Sequence, residues 1–115
     1  MRRSSAPAVL LLFAGVLGCR ANDTPLTDGW AGRWNGPEGT YLDIAGANGV
    51  YAITVKDLDA ARTFAGSAVG ERIEFRRDSS IESLRATNGD ATGMKWLAGK
   101  TDCLTIKPGE GFCRK

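Results

Sequence analysis

Cysteine is the residue type whose spacing in this sequence points most clearly to chemistry. Cys103 and Cys113 lie at equal distances from Pro108, and the segment from Pro108 to Gly111 has the residue types of a turn. A turn there would place the two cysteines on neighbouring strands, where facing Cβ atoms are about 4.5–5.5 Å apart. That is close to the separation a disulfide needs. The spacing therefore predicts a disulfide in the last hairpin, with a metal pair or reactive thiols as alternatives.

Other side chains that support catalysis are few. The chain has no histidine, which excludes Ser-His-Asp and Cys-His nucleophile systems and histidine-ligated zinc. Asp57 and Asp59 could hold calcium or exchange protons, but residues two apart share a face only in a strand, and this segment has the composition of a turn. The remaining carboxylates considered are spread over separate predicted strands: Asp43, Glu71, Glu74, Glu82 and Glu110. We predict no catalytic residues, no metal site, no cofactor and no enzyme activity.

The aromatic residues are the candidates for binding. Trp30, Trp34, Tyr51 and Trp96 could contact a ligand or a protein partner, because aromatic side chains combine a large apolar surface with a polar group. The alternative is that they form the core and close one end of the fold. That alternative is favoured in so small a domain, because the interior of a barrel of eight short strands is just filled by side chains.

Several arginines form a second candidate surface. They could bind an anionic ligand such as a glycan or lipid phosphate, or they could form an ordinary solvated face balanced by neighbouring carboxylates. The balance of charges favours the solvated face. The residues concerned are Arg62, Arg72, Arg76, Arg77 and Arg85.

Turn signals and period-two alternation predict the elements that position these residues. Asn48-Gly49 and Asn88-Gly89 are typical of type I′ hairpin turns, and Pro108-Gly109 is a third turn signal. Between them, apolar and polar residues alternate as in half-buried strands. The segment 56–62 is the only local helix candidate, as one helical turn or a polar loop. The predicted strands are 33–36, 39–46, 50–56, 62–68, 71–77, 80–87, 92–98 and 101–107, with a short piece at 110–114.

Consecutive antiparallel strands of this number can protect their edges by closing into a barrel. Gly32-Arg33-Trp34 resembles the Gly-x-Trp start of lipocalin-like barrels, in which the tryptophan closes one end. The resemblance implies an all-β fold, a small antiparallel meander closing into a barrel of about eight short strands. The glycine-rich pattern at 36–41, 92–97 and 109–113 is also similar to small proteobacterial lipoproteins of uncharacterised function, a resemblance that implies no activity.

The N-terminus has the parts of a secretory signal: Arg2 and Arg3, an apolar run at 8–16 and a small residue at Gly18. The apolar run is too short to span a bilayer as a helix. The segment from Val16 to Cys19 resembles the lipobox of bacterial lipoproteins, which implies acylation of Cys19. Arg20 stands where an inner-membrane lipoprotein would carry Asp, so the resemblance implies the periplasmic face of the outer membrane.

We therefore predict a signal peptide at 1–18, a lipidated tether at 19–29 and a small β-barrel domain at 30–115. Removal of the signal peptide would remove two arginines and no acidic residue, so the mature chain would have equal numbers of basic and acidic side chains. A nucleic-acid-binding protein would show a basic excess, and we exclude that class. The oxidising periplasm would favour the Cys103–Cys113 disulfide.

Two binding functions remain open at this point, with catalysis by carboxylates alone as a third alternative. The first is a non-enzymatic protein-binding module, either an inhibitor of a hydrolase or an accessory subunit of an envelope assembly. Its contacts would come from the segments 36–39 and 56–62. The second is a barrel that binds a small apolar ligand or lipid in a mouth lined by Trp34, Tyr51 and Trp96.

Overall fold

The protein is an eight-stranded antiparallel β-barrel, as predicted. The computed structural model describes residues 24–115, so the predicted signal peptide and Cys19 lie outside the described residues. Each strand pairs with the next one in sequence, and β1 pairs with β8 between Asn35 and Cys113, which closes the sheet. The strands are β1 (Gly32–Asn35), β2 (Tyr41–Ala47), β3 (Val50–Lys56), β4 (Ala61–Val69), β5 (Arg72–Arg77), β6 (Ser80–Thr87), β7 (Cys103–Lys107) and β8 (Glu110–Cys113).

The barrel interior holds one apolar core. Side chains along a strand point alternately to opposite faces, so the apolar residues two positions apart all point inward. Those with no more than 1% of their surface exposed include Trp34, Leu42, Ile53, Ile73, Leu84 and Leu104. The predicted alternation on β2, β3 and β5 is confirmed by this set. Within the described residues, no helix is long and apolar enough to cross a membrane.

Two of the three predicted turns are confirmed. Asn48 and Gly49 join β2 to β3 with φ of 57° and 80°, the positive values that a type I′ turn requires. Gly109, with φ of 88°, lies in the turn between β7 and β8. The prediction for Asn88-Gly89 is wrong, because Gly89 has an αR backbone conformation. It is glycine for another reason: a Cβ atom there would collide with the carbonyl group of Leu97.

The predicted strand at 92–98 is also wrong. The segment forms two 3₁₀ helices, Asp90–Thr92 and Lys95–Leu97, within the long connection from β6 to β7. Gly93, with φ of 73°, separates them in a left-handed conformation that interrupts an extended chain. The connection covers the outer face of the last hairpin, where Thr92 packs against Gly111 and Leu97 is buried. The barrel still has eight strands, because the short piece predicted at 110–114 forms the eighth strand, β8.

The predicted disulfide is present between Cys103 and Cys113, which face each other in the β7–β8 register. Leu104 and Phe112, the next pair along, belong to the barrel core. The two cysteines form a separate cluster with Leu97, and Met94 packs against it. The disulfide therefore cross-links β7 and β8 on the outside of the barrel, and the connection that covers the last hairpin packs against it.

One end of the barrel is closed by the residues that precede β1. Leu26–Trp30 is a 3₁₀ helix, and its Thr27 is fully buried. The hydroxyl of Tyr51 donates a 2.6 Å hydrogen bond to the Asp28 carboxylate and accepts another from the Thr27 hydroxyl, also at 2.6 Å. This contact with Tyr51 lowers the pKa of Asp28, and burial raises the pKa of Tyr51. Residues 26–29, expected in the tether, are thus part of the folded domain.

Trp34 completes this closed end. Its indole Nε1 donates a 2.8 Å hydrogen bond to the carbonyl of Trp30. The Arg114 guanidinium lies 3.9 Å from the centre of the Trp34 ring, at a cation–π distance. Arg114 directly follows β8 and Trp34 lies in β1, so the contact links the two strands whose pairing closes the barrel.

We expect the double substitution of Cys103 and Cys113 by Ser to lower the free energy of unfolding by about 2–3 kcal/mol, because the bridge closes a short loop in the unfolded chain. Urea unfolding of the oxidised protein and of the double variant measures this difference. Equal unfolding midpoints would show that the disulfide contributes nothing to stability.

Candidate functional site

The end of the barrel opposite the closed end is open and forms a pocket of about 600 Å³. Four connections surround it: those between β1 and β2, β3 and β4, β5 and β6, and β7 and β8. All four lie at the same end because the strands alternate in direction. We call this pocket the mouth; its walls include Pro37, Thr40, Val55, Leu58, Arg62, Arg77, Ser80, Glu82, Met94, Pro108, Glu110 and Phe112.

Charged side chains replace apolar ones at the inward-facing positions nearest the mouth. Arg62 faces Val55 in the β3–β4 register, and Glu82 faces Phe75 in the β5–β6 register. Arg77 lies two residues after the inward-facing Phe75, and all of these residues except Phe75 line the mouth. Because the alternation has period two, each of these charged side chains points into the barrel.

Arg77 binds two carboxylates at the base of the mouth. Its Nη1 and Nη2 atoms each lie 2.8 Å from a Glu110 oxygen, in a bidentate pair. Its Nε and Nη2 atoms lie 3.2 and 3.1 Å from Oε2 of Glu82. The hydrogen bonds that Arg77 donates to Glu110 and then to Glu82 raise the pKa of Arg77, although its burial acts in the opposite direction. We call Arg77, Glu82 and Glu110 the inner triad.

Arg62 is held more loosely. It forms a bidentate pair with Asp78, with both N–O distances at 3.0 Å. This pair raises the pKa of Arg62 and lowers that of Asp78. Half or more of each side chain is exposed to solvent, so the pair is screened and contributes little to stability. Below these arginines, the rings of Phe64 and Phe75 lie 5.5 Å apart and form the transition to the core.

Within the segment 56–62, residues 57–60 form a polar loop, one of the two predicted alternatives, and the flanking residues belong to β3 and β4. The Asp57 carboxylate accepts hydrogen bonds from the backbone N–H groups of Asp59 and Ala60, at 2.8 and 2.9 Å. These bonds lower the pKa of Asp57. Asp57 is thus a turn-capping residue. Residues 24–115 contain no group of three or more Cys, Asp or Glu residues able to hold a metal. Leu58 projects from the loop at the mouth with 66% of its surface exposed.

The four aromatic residues predicted to contact a ligand do not line the mouth. Trp30, Trp34 and Tyr51 are buried in the core and at the closed end, the alternative that the small size of the domain favoured. Trp96 lies in the β6–β7 connection outside the barrel and is 73% exposed. The expectation of a mouth formed by Trp34, Tyr51 and Trp96 is therefore wrong.

The predicted arginine surface divides into two groups. Arg72, Arg76 and Arg85 point outward, and Arg72 pairs with Glu74 on the outer face. Arg62 and Arg77 point inward at the mouth, which the prediction of a single solvated face missed. The sequence did indicate the inward orientation of Arg77, because Arg77 continues the alternation of Ile73 and Phe75. The scattered carboxylates Glu82 and Glu110 likewise converge, on Arg77.

Comparisons of the chain with protein-family models, with curated proteins and with solved structures found no match. The geometry of the mouth and the residues that line it are therefore the basis for assigning a function.

We expect Arg77→Met to lower the free energy of unfolding by about 2–3 kcal/mol, because two carboxylates would lose their shared cation. This is somewhat less than the cost of breaking a fully buried pair, since the mouth admits water. Arg72→Met on the outer face is the matched control and should cost at most about 1 kcal/mol. Urea unfolding followed by tryptophan fluorescence measures both. Equal losses in the two variants would contradict a special role of the inner triad.

Proposed function

We propose that this chain is a lipid-anchored, non-enzymatic binding protein of the bacterial envelope, and that its mouth binds a small amphipathic molecule. The observation that carries the proposal is the mouth itself: a concave pocket of about 600 Å³ that joins apolar walls to inward-facing charged groups. Small-molecule sites are typically concave pockets of this size with apolar walls and a few convergent polar groups.

The location follows from the N-terminal sequence. The lipobox-like segment from Val16 to Cys19 supports acylation of Cys19 and attachment to the periplasmic face of the outer membrane. The chain enters the barrel at its closed end, through Leu26–Trp30. A tether from residue 19 to residue 23 spans at most roughly 18 Å when extended. The closed end would then lie near the bilayer, with the mouth at the far end of the barrel.

The arrangement of the carboxylates supports binding in preference to catalysis. Glu82 and Glu110 converge in a pocket, as acid–base chemistry by carboxylates would require. Both oxygens of Glu110, however, are bound to Arg77. The pair therefore lacks a second free carboxylate, and the inner triad is better suited to orienting a polar group of a ligand.

A protein-binding role is the second candidate, because the two segments expected to make such contacts, 36–39 and 56–62, both border the mouth. Leu58 is an exposed apolar residue on this rim. An inhibitor that enters an enzyme's active site needs a protruding loop, whereas these segments surround a concavity. The geometry thus favours a module that receives a segment of an envelope protein over one that inserts its own.

We expect metabolic labelling with a fatty-acid analogue to mark the full-length chain when it is produced in a Gram-negative host, because Cys19 would carry the lipid. The Cys19→Ser variant should lose the label. A variant with Cys103 and Cys113 both replaced by Ser is the control and should keep it. A label that persists in Cys19→Ser would rule out lipidation at that residue.

We expect the protein purified from its own host to retain a small molecule that native mass spectrometry detects. Ser80→Trp should reduce retention strongly, because residue 80 lines the mouth and an indole there would occupy part of the space that a ligand needs. Ser83→Trp on the outward face of the same strand should leave retention unchanged. Equal retention by both variants would place the ligand elsewhere.

A further inference from the structure

The inner triad contains one positive charge and two negative charges. Arg77 is the single cation, and Glu82 and Glu110 are both ion-paired to it. The three side chains are largely withdrawn from solvent, with 11%, 19% and 21% of their surfaces exposed for Arg77, Glu82 and Glu110. Charges in such surroundings are costly unless they are paired. The base of the mouth therefore carries one uncompensated negative charge.

Glu82 is the residue that can present this negative charge to a ligand. Glu110 uses both of its oxygens on Arg77, whereas both contacts of Glu82 are made by Oε2. Among residues 24–115, no protein group donates a hydrogen bond to Oε1 of Glu82. Since Glu82 lines the pocket, a group that enters the mouth can reach this oxygen.

The other cations around the mouth do not supply the missing charge. Arg62 is paired with Asp78, and the Lys56 ammonium donates to the backbone carbonyl of Asp57 at 2.6 Å. Lys107 forms no ion pair with any carboxylate in the described part of the chain. The residues that line the mouth comprise five carboxylates and four cations, namely Glu38, Asp57, Asp78, Glu82 and Glu110 against Lys56, Arg62, Arg77 and Lys107.

Apolar side chains complete the surroundings of the inner triad. Val55 and Phe112 are buried core residues that reach the pocket, and Leu58, Met94 and Pro108 extend the apolar surface towards the rim. A ligand that fits both features has an apolar body and a single cationic group. A hydrogen bond between an ammonium and a carboxylate is stronger than one between neutral groups.

We propose that the ligand of the mouth is an amphipathic cation, such as an alkylamine, whose ammonium group binds Oε1 of Glu82 while its apolar part lies along Val55 and Phe112. This inference rests on the proposed function, in that the mouth is taken as the ligand site. The ammonium would supply the second positive charge that the inner triad lacks.

Isothermal titration calorimetry with three probes of equal chain length tests the inference: octylamine, octanoate and octanol. The protein is the mature polypeptide from Arg20, which contains all eight paired strands. Octylamine should bind at least about tenfold more tightly than the other two, as expected for a charge-assisted hydrogen bond. Glu82→Gln should reduce octylamine affinity to that of octanol. It should still fold, because Arg77 and Glu110 remain a balanced pair. Glu74→Gln on the outer face is the control.

The outcomes separate the two proposals. Tighter binding of octanoate than octylamine, or an unchanged octylamine affinity in Glu82→Gln, overturns the cationic ligand and leaves the mouth as a ligand site. If none of the probes binds and the protein from its host retains no small molecule, both proposals fail. Octylamine binding that is lost in Glu82→Gln and kept in Glu74→Gln supports both.

Discussion

Closure of the sheet between β1 and β8 is the constraint on which the rest of the structure depends. Only Asn35 and Cys113 pair across this seam, so the backbone alone holds it weakly. Side-chain contacts supply the rest of the stabilisation across the seam. Arg114 stacks on Trp34 across the two strands, and the Trp34 indole donates a hydrogen bond to the carbonyl of Trp30. The disulfide and the β6–β7 connection reinforce β8 from outside. Once the sheet is closed, every inward-facing residue must either pack in the core or face the one open end.

The two ends of the barrel accommodate their inward-facing residues differently. At the closed end, aromatic and aliphatic side chains fill the space. The 3₁₀ helix Leu26–Trp30 covers them, and its Thr27 and Asp28 are hydrogen-bonded with the Tyr51 hydroxyl, which donates to Asp28. At the mouth, the inward positions of β4, β5, β6 and β8 carry charges, which would be unfavourable in a closed core. Arg77 pairs with Glu82 and Glu110 and so keeps these charges in the barrel without filling it, while Arg62 pairs with Asp78. At the mouth, charged residues thus occupy inward positions that apolar core residues would otherwise fill. Such a local departure from core packing is expected at a functional site.

Much of the architecture could be predicted from the sequence, because period-two alternation and Asn-Gly or Pro-Gly turns act locally. The prediction of a strand at 92–98 was wrong for a tertiary reason: Thr92 and Leu97, which do not alternate, pack on the last hairpin, while Trp96 is exposed to solvent. The functional site was predicted least well. Of the aromatic residues offered as a binding surface, Trp30, Trp34 and Tyr51 are core, the alternative that the sequence favoured, and Trp96 is exposed outside the barrel. Convergence of Glu82 and Glu110 on Arg77 depends on strands far apart in sequence, so no local pattern reveals it.

We propose the mouth, with its net negative inner triad, as the binding site. Chemical-shift mapping by ¹H–¹⁵N NMR during titration with octylamine tests it most directly. We expect shifts confined to the connections around the mouth, 36–40, 56–62, 77–82 and 107–112, with the closed end around Trp30 and Tyr51 unaffected. Shifts concentrated at the closed end or on the outer face would contradict it, as would a spectrum that does not change.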